Sequence, residues 1–195
     1  MKNIKQIGII LFTSLMLVSF TNYIMRAEEK SVISLSSKPI EPMLLTLGFD
    51  IKPIEINQTE LFLNAIGHRE SSNRYDIVNK WGYMGKYQFG KKTLKNLGYD
   101  VSKKEFLNSP YLQEKAMLDL LEHNKKILQS YIDYWDGRKI NGKVITESGI
   151  LAAAHLAGAG NVKRFLKKGE EFKDGNGTKL TSYLTQFSGY DINLD

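Results

Sequence analysis

The chain contains no cysteine. That absence excludes disulfides, thiolate metal sites, a cysteine nucleophile, redox motifs and lipid attachment through cysteine, so an exported domain must be held by its core alone. Histidine is scarce as well: the three, at 68, 123 and 155, show no His-Glu-x-x-His or comparable ligand spacing, and neither a metal nor another cofactor is expected. Basic residues form no stripe suited to a nucleic acid backbone. "KKTLK" and "KRFLKK" are short and read as solvated helix faces. Long apolar runs are missing too, apart from one near the start.

That run, Ile7 to Phe20, follows Lys2 and Lys5 and precedes Met25-Arg26-Ala27, the layout of a secretory signal segment over residues 1–27. A membrane span needs about 20 predominantly apolar residues, and Thr13, Ser14, Ser19, Thr21 and Asn22 dilute this one. Export to the periplasm, envelope or exterior is expected, with membrane contact only if the segment stays uncleaved. The formal charge of +6 includes Lys2, Lys5 and Arg26, so their removal leaves +3. A mildly basic exported surface suits the polyanions of a cell wall or a membrane surface. With 195 residues and 42% hydrophobic content, the chain has room for one domain with a real core, and a monomer is expected.

Residues 28–56 hold Pro39, Pro42 and Pro53 and no sustained period, which reads as a tether or irregular wrap. The texture changes at Asn57. Asn57 with Glu60 resembles a capping box, and Leu63, Ile66 and Glu70 share a helical face, which predicts a helix over about 58–70. Glycines at 82, 85 and 90 among aromatics predict turns or a small hairpin over 79–90, then a short helix over 91–97 and another opened by Ser102 and Glu105. Ser109 and Pro110 start the clearest element, a long helix with a stripe through Leu112, Ala116, Met117, Leu120, Leu121, Ile127, Leu128, Tyr131, Ile132 and Trp135. The Asn-Gly pair at 141–142 predicts a small hairpin. Thr146 caps an Ala-rich helix that "GAG" at 158–160 should end, and helices over 161–168 and 180–187 complete a mainly α domain from 57 to 195 with one or two small hairpins.

Glu70 closes an apolar helical stripe and is followed at once by "SSN" and the aromatic run "YDIVNKWGYMGKYQF". Burial there would raise its pKa, allowing it to hold a proton near neutrality and give it to a leaving oxygen, as in glycosidic bond cleavage. On that footing Glu70→Gln should abolish turnover and leave stability nearly unchanged or slightly improved. Tyr75, Trp81, Tyr83, Tyr87 and Phe89 would offer rings for sugar faces, with Gln88 and Asn73 as donors and acceptors. The alternative is a partly exposed helix-end glutamate beside a structural aromatic hairpin.

Glu70-Ser71, then "GYMGKYQF" at 82–89, then "AHLAG" at 154–158 resemble, in order and separation, the lytic transglycosylase and goose-type lysozyme superfamily. The "YMGKYQF" stretch is also similar to a segment of resuscitation-promoting-factor domains, which share the lysozyme-like fold. The resemblance covers residues 57–190. It implies a lysozyme-like fold and an enzyme acting on peptidoglycan glycan strands, cutting between N-acetylmuramic acid and N-acetylglucosamine with Glu70 as the one essential acid/base and a 1,6-anhydro sugar as product. Carried over by position, Ser71 would orient Glu70, Gln88 would bind saccharide near the scissile bond, and His155 would take the place of the family's tyrosine in the later motif; Tyr83 and Tyr87 are expected substrate contacts as rings of the aromatic run. Leu156 and Tyr87 depart from the family's usual Asn and Met. His155 either faces Glu70 or is a helix histidine satisfied in the core. Should the enzyme hydrolyse instead, as a lysozyme does, Asp76 is the candidate second carboxylate, although it reads equally well as a turn residue. A non-catalytic wall-binding module and a structural envelope protein whose groove binds a partner peptide are further alternatives.

Overall fold

A computed structural model of the chain describes residues 57–194. The expected signal segment and tether lie outside the described residues. The domain is mainly helical with one small antiparallel hairpin, in the order α1 (Gln58–Ser71), α2 (Lys91–Asn96), α3 (Lys103–Leu107), α4 (Pro110–Trp135), β1 (Lys139–Ile140), β2 (Lys143–Val144), α5 (Glu147–Ala157), α6 (Ala159–Lys168) and α7 (Leu180–Gln186).

Most helix starts are set by a side chain that satisfies an otherwise unpaired backbone N–H. Asn57 accepts from Glu60 N at 3.1 Å, Ser109 from Leu112 N at 3.2 Å and Thr146 from Gly149 N at 3.1 Å. At α3 the box is reciprocal, with Glu105 N donating to Ser102 Oγ (3.2 Å) and Ser102 N to Glu105 Oε2 (2.8 Å). In the hairpin Lys139 faces Val144 and Ile140 faces Lys143, and Asn141 (φ 50°) and Gly142 (φ 77°) take the two left-handed positions that a tight two-residue turn requires.

The 26-residue helix α4, about 39 Å long, spans the domain. It buries Gln113, Ala116, Met117, Leu120, Leu121, Asn124, Leu128 and Ile132, a stripe at three- and four-residue spacing. Ile127, expected in that stripe, is 39% exposed because it falls on the neighbouring, solvated face. Helix α5 is buried on all faces over Ser148 to Ala154, where all but Ser148 are apolar or glycine, and it packs against α4, α6 and α7. The contact with α7 is so close that a Cβ on Gly149 would collide with the backbone carbonyl of Leu184. The "GAG" segment ends α5 at Gly158 alone, which turns the chain at φ 77°, so α6 begins at Ala159, earlier than expected. Gly169, left-handed at φ 70°, ends α6.

Between α1 and α2 the chain forms a compact aromatic loop in place of regular strands. Met84 makes bridges to both Val78 and Phe89, with Met84 N to Phe89 O at 2.9 Å and Phe89 N to Met84 O at 2.8 Å. No helix among the described residues is long and apolar enough to cross a membrane.

Candidate active site

Glu70 stands one residue before the end of α1, where Ser72 turns left-handed (φ 55°) and releases the chain into the aromatic loop. Its carboxylate, 16% exposed, opens into a cleft of about 550 Å³. One wall comes from the loop, through Asn79, Trp81, Tyr83, Gln88 and Phe89; the floor comes from Leu120 and Asn124 of α4 and from Ala154 to Gly158 at the end of α5; the Asp174–Asn176 turn completes the lining.

The Tyr183 hydroxyl of α7 donates a hydrogen bond to Glu70 Oε1, and His155 Nε2 of α5 lies 3.6 Å from the same oxygen. Arg69, the neighbour of Glu70, lays its guanidinium 4.0 Å from the centre of the Tyr183 ring and donates to Ser182 Oγ at 2.9 Å and to Gln186. Thus α7 is pinned to the end of α1 on both sides of the Tyr183 hydroxyl. Burial pushes the Glu70 carboxyl up, but the hydrogen bond and charge of His155, the Tyr183 hydroxyl and the Arg69 charge outweigh it and hold the group below its ordinary value of 4.5. The expectation from burial alone is therefore reversed: the group is held as a carboxylate. Tyr183 is affected in the opposite sense, its hydroxyl pushed far up by burial and by the adjacent anion.

The expected sugar-facing residues separate into two groups. Tyr83 (46% exposed) and Trp81 (49% exposed) present their rings at the cleft, held by Asn79 Oδ1, which accepts from Trp81 N at 2.9 Å and from Tyr83 N at 3.0 Å. Gln88 also lines the cleft, in a left-handed conformation (φ 51°), with Nε2 donating to Gly85 O at 2.9 Å. Tyr87 does not line it. The turn between Met84 and Phe89, with Gln88 left-handed, carries Tyr87 into the core, fully buried, where its hydroxyl donates to Glu114 Oε2 at 2.5 Å. Ser71 does not touch Glu70 either. Its hydroxyl donates to Lys86 O (2.7 Å) and accepts from Arg74 N (2.9 Å), so it fastens the end of α1 to the loop. Asp76 lies outside the cleft lining, 72% exposed and paired with Arg74 at 3.0 Å.

Beneath the loop is a polar cluster with no clear mark in the sequence. Lys86, only 5% exposed at its side chain, places Nζ 2.8 Å from Glu114 Oε1 and 3.2 Å from Asn64 Oδ1. Tyr75 OH also donates to Glu114, at 2.5 Å, and burial together with that carboxylate pushes the Tyr75 hydroxyl up to about 12. Gln113 joins α4 to the loop by accepting from Lys86 N (2.8 Å) and donating to Tyr75 O (3.0 Å) and Phe106 O (2.8 Å). Gly85 (φ +73°) is needed here, because a Cβ would collide with the Gln113 side chain.

Sequence reasoning missed Tyr183, Arg69, Asn124, Asn79 and Asp174. Asn124 alone carried a signal, a polar residue on the apolar stripe between Leu120 and Leu128. Among the described residues no group of three or more His, Asp or Glu side chains converges as a metal site would need. Comparison with protein-family models, with curated proteins and with solved structures finds no match.

Proposed function

We propose that the chain is an exported enzyme that cleaves peptidoglycan glycan strands as a lytic transglycosylase, within a lysozyme-like domain. The observation that carries this reading is the Glu70 carboxylate, its side chain 16% exposed and bonded by the Tyr183 hydroxyl, set in a cleft whose wall presents the exposed rings of Trp81 and Tyr83. Rings of that kind suit the apolar faces of sugars. A strand lying in the cleft would expel water from around Glu70, strengthening the effect of burial and favouring the protonated form. Glu70 then gives its proton to the oxygen that joins N-acetylmuramic acid to N-acetylglucosamine, and that bond to the anomeric carbon breaks. The muramic 6-hydroxyl oxygen bonds to the same carbon and yields its proton to the Glu70 carboxylate, leaving a 1,6-anhydro end and a re-protonated acid. Tyr183 and His155 stabilise the carboxylate between the two transfers. No water enters the products and no second carboxylate is needed, unlike paired-carboxylate hydrolysis.

A hydrolytic lysozyme is the second reading, and Asp174 is the observation that favours it, as a second carboxylate lining the cleft. Its Oδ1 accepts from Asn176 N (2.9 Å) and Thr178 N (2.6 Å), which suits a turn-forming role better than that of a base activating water. The test is a digest of purified peptidoglycan by the full chain, wild type beside Glu70→Gln, with products read by mass spectrometry. Glu70-dependent fragments lacking one water relative to hydrolysed ones are expected. Hydrated fragments would transfer the chain to the lysozyme reading, and binding without any fragment would leave a wall-binding module.

A further inference from the structure

Acids and cations pair over much of the surface: Arg74 with Asp76, Lys115 with Asp119, Lys125 with Glu147 and Lys168 with Glu170. The end of α4 differs. Tyr131 and Tyr134, three residues apart, are neighbours on the helix surface, and each ring carries cations. Lys163 and Lys167 of α6 place Nζ 5.6 and 5.5 Å from the centre of the Tyr131 ring, and the Arg138 guanidinium lies 4.4 Å from that of Tyr134. Among the described residues none of these three cations has a carboxylate within ion-pairing distance. The acids close by in sequence are engaged elsewhere. Asp133, two residues and about 200° around α4 from Tyr131, accepts from Gln129 Nε2 at 2.8 Å; Asp136 accepts from Glu147 N at 2.8 Å; and Glu147 pairs with Lys125 at 2.7 Å.

Like charges four residues apart on a helix repel. The dipole of α6 offsets this for Lys167, in its last turn, but not for Lys163 at its middle, so the pair lacks a counter-charge within the fold. The rings also fix where the cations stand, and little side-chain freedom is left to lose when an anion binds. Lys163 and Lys167 are spaced about 6 Å along α6 at 1.5 Å per residue, and the hairpin that follows Arg138 adds Lys139 and Lys143, both exposed and without an acid. Positive charge spread over an open surface suits a chain of recurring anions better than one small anion. A bilayer would call for bare apolar side chains to insert, whereas these rings lie beside their own cations. We infer that Tyr131, Tyr134, Arg138, Lys163 and Lys167 form a docking surface for a linear phosphodiester polymer of the kind a cell wall carries. Helix α6 starts at Gly158, which lines the cleft, so a polymer docked here lies next to the cleft that holds Glu70. The inference is independent of the chemistry proposed for that cleft.

The test is calorimetric titration of the full chain with lipid-free poly(glycerol phosphate), which contains no glycosidic bond, over a series of salt concentrations. Wild type is compared with the double variant Lys163→Gln, Lys167→Gln and with a control, Lys103→Gln, Lys104→Gln, which removes the same charge from exposed positions of α3. The patch variant should bind about 25-fold more weakly near 0.1 M salt, at about fivefold per lysine beside a polyanion. Its plot of log affinity against log salt should be shallower by about 1.4, or 0.7 for each lost phosphate contact, as on a flexible polyanion. The control should stay within about twofold of wild type, and the Tm of both variants should match it, since all four lysines are on the surface. A control that weakens as much as the patch variant would reduce the effect to net charge and overturn the inference, as would wild type that does not bind the polymer. Vesicles of phosphatidylcholine with phosphatidylglycerol form the last arm: binding to them and not to the polymer would overturn the inference in favour of a membrane surface. None of these outcomes depends on whether Glu70 cuts a glycan, so this inference and the proposed function fail separately.

Discussion

Lys86→Met would remove the cation of the buried cluster while keeping most of the aliphatic stem that packs against the loop. In the wild type, Lys86 Nζ lies 2.8 Å from Glu114 Oε1, with side-chain exposures of 5% and 31%. Breaking a fully buried pair by deleting one partner costs about 3–5 kcal/mol, because the remaining charge is stranded. Glu114 is nearly one-third open to water and keeps the hydroxyls of Tyr75 and Tyr87, so it recovers part of its solvation, and about 2–3 kcal/mol is expected here. Equilibrium unfolding in urea at neutral pH measures this directly. The pH dependence is a second readout. Burial raises the Glu114 carboxyl, yet Lys86, Tyr75 and Tyr87 outweigh it and hold the group below 4.5. A depressed carboxylate contributes stability that is complete above its unfolded value and is lost as pH falls through its folded one. Without Lys86 that depression shrinks, so the gap between wild type and Lys86→Met should be widest at neutral pH and narrow below 4.5. Adding Glu114→Gln should recover part of the loss by neutralising the stranded charge. An unchanged urea midpoint at neutral pH, or a gap that widens on acidification, would refute the reasoning.

Two further outcomes are expected. Because Glu70 is also held below its ordinary value of 4.5, Glu70→Gln should be less stable than wild type at neutral pH, with the difference in Tm closing as pH falls below that value; a variant more stable at neutral pH would restore the dominance of burial. Leu128→Ala, at a fully buried position of α4, should cost about 2–5 kcal/mol in denaturant unfolding through the cavity it leaves, with activity per folded molecule unchanged.

The elements were legible wherever a local rule acts alone. Ser109 with Pro110, the Ser102–Glu105 box, the Asn141-Gly142 turn and the left-handed Gly169 each announce a boundary through the conformation or hydrogen bond that the residue type favours, and each is realised. In the aromatic loop, by contrast, composition gave a turn-rich segment but not the direction of each side chain. Tyr83 and Tyr87 look alike in sequence, and what separates them is the doubled bridge at Met84 and the carboxylate of Glu114 waiting beneath, which comes from a helix far along the chain.

The same distinction governs the site. Glu70 was legible because it sits at the end of an apolar stripe, but its electrostatic state depends on His155 and Tyr183, contributed by helices 85 and 113 positions later. Local reasoning could see the burial that raises its pKa and not the partners that lower it. Tyr183 gave no signal, since a tyrosine among Leu180, Leu184 and Phe187 reads as core, which it also is, at 3% exposure. Gln113 and Asn124 offer the instructive comparison, two amides on the buried stripe of one helix. The first spends its amide on three backbone groups and explains how the loop is held, while Nδ2 of the second has no hydrogen-bond partner among the described residues. A polar residue on a core stripe therefore marks a place where a partner must come from an element distant in sequence, which a local reading of the helix does not show.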